Sequence, residues 1–306
     1  MSIKISTEPV ENSEYLKYTL SSYDHLPIKT KYNTIPAYRT SSFDPVEVCE
    51  PFLNFDVFED DVWIVTFPKC GTTWTQEMVW LLMNNLDFEE LDLKKGKPID
   101  IPRPRLLKTH SAMQLLPKQL WTKNPKIIFV VRDPRDAFIS MFHHIQFFFG
   151  KTFNENLESF VENGLKYEGF WEMALNFYAL RDRENIMFFS YEQMKKDLKI
   201  IVLKVSAFLG KEYSEADINK LVNHLDFNNM KDLPAVSHRI ELEEFKKEYN
   251  IKDEDVIKDA KFMRKGVVGS YKKEMSEELL QKIDSWEKSY LDPEHLTLDD
   301  ILFFEK

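Results

Sequence analysis

The sequence predicts an α/β fold: one domain with a central, mostly parallel sheet flanked by helices. Three observations carry this. Short apolar, β-branched runs alternate with longer segments of helical spacing, the pattern of strands joined by crossover helices. No Gly/Ser-rich linker, low-complexity tract or internal repeat divides the 306 residues, although length alone would suggest about two domains. One run, TFPKCGTTW from Thr66 to Trp74, joins a strand to a helix through a turn holding a lysine, a glycine and two threonines.

The elements follow in order. Residues 1–45 are polar, rich in Ser, Thr and Tyr, and punctuated by Pro9, Pro27, Pro36 and Pro45; they read as an irregular arm laid over a domain spanning 46–306. Val62 to Phe67 is a buried strand. Thr73 to Asn84 is a helix, with Trp74, Met78, Leu81 and Leu82 at helical spacing and a hydroxyl residue available as its cap. Such a turn aims backbone N–H groups and the positive end of a helix dipole at one spot, which suits a phosphate or sulfate. It is not the usual nucleotide loop, because Lys69 precedes Gly71 instead of following the last glycine.

Beyond a polar loop, RLLKTH is a short strand ending at Lys108, Thr109 and His110. Alternation puts Lys108 and His110 on one side and Thr109 on the other. Lys126 to Val131 is a buried strand that exits into RDPRD. A helix then runs from Arg135 to about Phe149, carrying Ser140 and the cluster Phe142, Phe147, Phe148 and Phe149. Residues 155–183 give two amphipathic helices. Ile186 to Phe189 is a strand entering a helix at Tyr191, and that helix continues to a glycine stop at Gly210. Another helix near 214–223 leads to HLDFNNM. Residues 239–261 are dense in Glu, Lys and Asp without a strong apolar period and read as a solvated lid. FMRKGVVGSY and an acidic helix and tail complete the chain.

Composition narrows the function. With 43% hydrophobic and 14% aromatic residues there is ample material for a core, yet no apolar run approaches the roughly 18 residues that span a bilayer. The N-terminal residues lack the basic and apolar regions of a signal peptide. Two cysteines, Cys49 and Cys70, make neither a disulfide framework nor a zinc site, so no metal is expected and the compartment reads as cytoplasmic. A net charge of −10 argues against general nucleic-acid binding.

Chemistry collects at strand ends. In parallel sheets, ligands bind beyond the carboxyl ends of the strands. Lys69, then Lys108 with His110, then Arg132 all fall there. His110 can take a proton from a hydroxyl, and two ammonium groups can stabilise a transferring anionic group. Arg132 suits bidentate contact with a phosphate, or alternatively pairs with Asp133 or Asp136. Arg264, Lys265 and Gly266 add two cations beside a glycine. Trp74 and Phe227 are aromatic candidates for sandwiching a base, or else core residues.

TFPKCGTTW, KTH, RDPRDAFIS and FMRKGVVGSY, in this order and at these separations, resemble the cytosolic sulfotransferase family over roughly residues 45–290. PKCGTTW, with Cys70 where many members have serine, is most similar to insect-type members. The resemblance implies a single α/β domain using 3′-phosphoadenosine 5′-phosphosulfate (PAPS). It implies that Lys69, Gly71, Thr72 and Thr73 hold the 5′-phosphosulfate and that Trp74 stacks on the adenine. Arg132, Ser140, Arg264, Lys265 and Gly266 would bind the 3′-phosphate. Tyr191 would reach the adenine, with Phe227 on its other face. His110 would be the general base, with Lys69 and Lys108 stabilising the sulfuryl group in flight and the departing phosphate.

The chain departs from the family pattern at two places. Leu225 and Asp226 precede Phe227 where many members have Thr-Ser. The usual dimerisation motif is replaced by Lys272, Ser276, Glu277 and Gln281, so a monomer or weak homodimer is expected. The expected acceptor is a phenol, sterol-like or other small apolar alcohol, in a pocket formed with help from residues 142–149, His144 among them. An enzyme of the same fold that sulfates an allylic alcohol such as retinol and then eliminates the sulfate would share all these residues. A nucleotide kinase would want a metal and the Walker order, and a carrier of hydrophobic ligands has no use for two lysines and a histidine at one anion site.

Overall fold

The computed structural model describes residues 4–9, 15–29, 31–32, 35–39, 45–89, 102–167, 169–231, 233, 238–257, 262 and 266–305. Among the described residues, the N-terminal strands β1 (Ile5–Pro9), β2 (Tyr15–Leu20) and β3 (Ile35–Arg39) are followed by the four strands of the central sheet, β4 (Val62–Thr66), β5 (Leu106–Thr109), β6 (Lys126–Val131) and β7 (Ile186–Ser190). These four are all parallel, in the order β5-β4-β6-β7. The chain leaves β4 towards β5 on one side and leaves β6 towards β7 on the other. The switch point, where a crevice opens beyond the strand ends, therefore lies between β4 and β6.

Alternation along each strand sends side chains to two cores. Trp63, Val65, Ile127, Phe129 and Val131 face helices α4 (Pro134–Phe149) and α6 (Phe170–Tyr178), where Phe129 stacks on Phe177 with ring centroids 4.3 Å apart. Val62, Ile64, Ile128 and Val130 face α2 (Thr72–Met83) and α8 (Leu198–Leu209). The remaining helices are α1 (Pro45–Leu53), α3 (Leu120–Lys123), α5 (Leu157–Tyr167), α7 (Tyr191–Lys196), α9 (Glu215–His224), α10 (Phe227–Met230), α11 (Arg239–Glu248), α12 (Glu277–Leu291) and α13 (Leu298–Leu302). Among the described residues no helix is long and apolar enough to cross a membrane.

Four expectations change. The N-terminal arm is not irregular: β1 (Ile5–Pro9), β2 (Tyr15–Leu20) and β3 (Ile35–Arg39) pair antiparallel. Ile5, Tyr18 and Leu20 bury against Leu53 and Leu115, partners distant in sequence that give these short polar strands their inner face. The helix entered at Tyr191 breaks at Asp197, whose extended backbone ends α7 while its side chain accepts a hydrogen bond from Ile200 N and caps α8. Within residues 239–261, α11 is a helix and not a structureless lid. Phe245 on α11 holds it to α4, with its ring 5.1 Å from Phe148 and 4.8 Å from Phe149. Helix α2 has no hydroxyl cap; Gly71, in the left-handed region at φ 97°, precedes it.

Candidate active site

Thr66 closes β4, and the chain turns through Lys69 and Gly71 into α2. Both residues take positive φ, 66° and 97°. A Cβ on Gly71 would come within 3.0 Å of the Tyr191 ring, so the tight approach of turn and ring needs glycine there. With no side chain capping α2, the first N–H groups of the helix stay directed out of the turn. Thr72 Oγ1 instead meets Thr66 Oγ1 at 2.7 Å, tying the helix start to the strand end.

The turn opens into a cavity of about 660 Å³. Lys69, Gly71, Thr72, Thr73 and Trp74 line it from the turn and α2, and Lys108 and His110 line it from the end of β5. Arg132 comes from the end of β6, Ser140 from α4, and Tyr191, Phe227 and Gly266 complete the set. Arg264 and Lys265 lie outside the described residues. Phe142, by contrast, packs into the core beside Phe153 and Phe160 (centroids 5.6 Å from each), and the α4 residues facing the cavity are Ser140, Met141, His144 and Ile145. Phe148 and Phe149 follow His144 and Ile145 by one turn on the same side of α4 but, like Phe142 and Phe147, are not among the lining residues.

Arg132 is buried and held from several sides. Its guanidinium lies 4.2 Å from the Tyr191 ring centre and donates to the carbonyls of Lys69 (3.1 Å) and Val267 (3.3 Å). Asp136 stands 3.9 Å away, so the ion pair and the place in the cavity coexist. Its Nε is buried with no hydrogen-bond partner among the described residues. Asp136 also accepts from Gly269 N (2.6 Å), Ser270 Oγ (2.9 Å) and Tyr271 N (3.3 Å), latching the segment after Gly266 onto α4. A Cβ on Gly266, itself at φ 60°, would sit 2.2 Å from the Phe227 ring. Trp74 donates its indole N–H to the Leu225 carbonyl at 2.9 Å, so the residue standing in for a family hydroxyl supplies a backbone contact.

His110 Nδ1 lies 2.9 Å from the Thr66 carbonyl and 3.1 Å from Thr66 Oγ1. A carbonyl can only accept, so Nδ1 carries the proton and Nε2 of the neutral ring keeps its lone pair. Burial, then the nearby Lys108 ammonium, pushes His110 down to about 4, against the raising effect of the Thr66 bond. Burial, then Arg132 and Lys108, lowers Lys69 to about 7. Lys108, open to the cavity but short of bulk water between its walls, is lowered too. The Lys69 ammonium rests 4.0 Å from the centre of the Phe262 ring. Sequence reasoning missed Asp136 as a latch and His238, Glu241 and Phe262 as cavity residues. In the sequence Asp136 shows only as an alternative partner for Arg132. Glu241 sits in the charged stretch 239–261, and His238 and Phe262 lie just beyond its two ends, where no local pattern reveals which way a side chain points.

The chain matches the sulfotransferase domain family over residues 59–295. It is 32% identical to luciferin sulfotransferase of Photinus pyralis, covering 91% of this chain and 85% of that protein. The chain belongs to the sulfotransferase family. It is also 31% identical to the amine sulfotransferase of Oryctolagus cuniculus, over 78% of this chain and 83% of the relative. Among solved structures it superposes on retinol dehydratase in complex with androsterone and inactive cofactor PAP, with a TM-score of 0.78, 21% identity and coverage of 97% and 98% of the two chains. A mouse sulfotransferase, SULT7A1, complexed with PAP superposes with a TM-score of 0.64 at 25% identity, over 84% and 91%. The chain is a sulfotransferase, and the kinase and carrier readings fall with that.

Proposed function

We propose that this sulfotransferase moves the sulfuryl group of PAPS to the hydroxyl of a small, largely apolar acceptor, with His110 as general base. The carrying observation is the Thr66–His110 bond, which leaves Nε2 as a lone-pair acceptor in the same cavity as Lys69 and Lys108.

The residues present fit the cofactor. An uncapped helix start behind Gly71 offers N–H donors to a phosphate, and the orphaned Nε of Arg132 offers one more. Gly266 leaves room for the Phe227 ring close to the backbone, and Phe227, Trp74 and Tyr191 line the same cavity, aromatic surface suited to a purine. Lys69, Gly71, Thr72 and Thr73 would hold the 5′ side, and Arg132, Ser140 and Gly266, with Arg264 and Lys265 from the family motif, the 3′-phosphate. When bound, PAPS supplies an activated sulfuryl group.

The chain's own residues do the rest. Thr66 fixes the His110 tautomer, and Nε2 takes the proton of the acceptor hydroxyl as that oxygen attacks. The Lys69 and Lys108 ammonium groups stand where negative charge grows, and cost no reorganisation because the turn and β5 already hold them. Cys49 and Cys70 are unpaired, which accords with a reducing compartment, and we place the reaction in the cytoplasm.

The test is single-turnover transfer beside equilibrium PAP binding, with product masses read by spectrometry. His110→Ala is expected to lose about 10²–10⁴-fold in transfer while keeping PAP affinity within a few fold. Lys69→Ala is expected to impair both. An acceptor that gains sulfate without losing water marks a transferase and not a dehydratase. His110→Ala turnover near the wild-type rate would remove the base assignment.

A further inference from the structure

Phe262 opens the motif FMRKGVVGSY, in which the family resemblance gives roles to Arg264, Lys265 and Gly266 alone. Its ring lines the cavity, and the Lys69 ammonium rests 4.0 Å from the ring centre. The ring is itself held on several sides. His238 lies against it with centroids 3.7 Å apart, and His144 and Phe147 of α4 meet it edge-on at 5.2 and 6.3 Å. Among the described residues no hydrogen bond or ion pair claims the Lys69 ammonium.

A lysine on a flexible four-carbon stem must be held still to act where negative charge grows, and the means of holding it matters. A carboxylate would neutralise it and compete with an incoming anion, and a carbonyl would take up one of its three N–H donors. An aromatic face attracts the ammonium through its negative quadrupole, adding no charge and no lone pair that competes with an anion. That attraction is stronger out of water, and Lys69 is enclosed: burial, then Arg132 and Lys108, weakens its hold on the proton.

We infer that Phe262 is the seat of the Lys69 ammonium, a positioning residue that aims this lysine at the 5′ side of the cofactor without neutralising it. The inference rests on the proposed role of Lys69 in holding the 5′-phosphosulfate. It ties that lysine to α4 and to the residue before α11, whose side chains pack the ring.

Equilibrium binding of PAP and of adenosine 3′-monophosphate, which lacks the 5′-phosphate, tests this without any acceptor. Phe262→Leu keeps an apolar cover and removes the ring. It is expected to weaken PAP binding by about 3- to 30-fold and to leave adenosine 3′-monophosphate within about twofold, which also reports an intact cavity. Mono-, di- and trifluorinated phenylalanine at position 262 keep the shape of the ring while making its face progressively less negative. PAP affinity is expected to fall stepwise along that series. On a Lys69→Met background, Phe262→Leu is expected to change PAP affinity by less than about twofold, because the seat has lost its occupant. A loss shared equally by the two nucleotides, a flat fluorination series, or a full Phe262→Leu effect on the Lys69→Met background overturns the inference and leaves the proposed transfer intact. PAP affinity unchanged in Lys69→Met itself overturns the assignment of that lysine, and the inference with it.

Discussion

Two neighbouring groups, Lys69 and His110, lose proton affinity in the same field, with different consequences. In the proposed reaction a neutral His110 is the competent base. With its imidazole held near 4, below the usual value near 6.5, it is in place across the working range. In the cofactor-free enzyme, His110 ring resonances are expected to show no titration between about pH 5.5 and 8, which an NMR titration checks. In the same proposal Lys69 works as the ammonium. Its value near 7 means that above neutrality an anion must draw a proton onto it to bind. PAP affinity is therefore expected to fall as pH rises through about 7, by up to tenfold per unit, and the fall should vanish in Lys69→Met. Calorimetry in buffers of different ionisation enthalpy would show the proton uptake, and a flat profile for wild type would contradict it.

Single elements matter here chiefly through what they hold still. Helix α4 delivers Ser140 and His144 to the cavity, and its Asp136 anchors the segment after Gly266 by three hydrogen bonds. In Asp136→Asn one oxygen becomes an NH₂ facing another donor. Leaving a buried donor unsatisfied costs about 1–3 kcal/mol. The variant is expected to melt several degrees lower, and to bind PAP more weakly than the loss of stability alone explains, because Arg132 leans on both Asp136 and the Val267 carbonyl. Thermal melts with PAP titrations decide this; a stability loss with unchanged PAP affinity would confine Asp136 to folding. Helix α11 shows how an element escapes local reading. Its charges hide Phe245, whose partners Phe148 and Phe149 lie nearly a hundred residues earlier in the chain.

For the whole molecule, assembly is the open quantity. Ser276 caps α12 and Glu277 is exposed in its first turn, where the family motif places an apolar residue. Burying that carboxylate in a shared interface without a partner would be costly. A monomer or weak dimer is expected, read by light scattering over a range of concentrations; a tight dimer abolished by changes at 272–281 would contradict it.

The sequence by itself determined the four parallel strands, the lysine- and glycine-bearing turn after β4 and the basic groups at the strand ends. Each rests on a local pattern: a β-branched run, a glycine before a helix, a period of two that pairs Lys108 with His110. Motif order then named the family. Only the tertiary structure decided what depends on distant partners. The polar N-terminal segments became strands because β1, β2 and β3 pair with one another and Leu53 and Leu115 cover their inner face. The Thr66 carbonyl chose the tautomer of His110, and desolvation set its proton affinity. The turn of α4 put His144, and not Phe142, in the cavity. Backbone preference is written in neighbouring residues, whereas burial and electrostatic field are sums over everything nearby in space, and only folding brings those neighbours together.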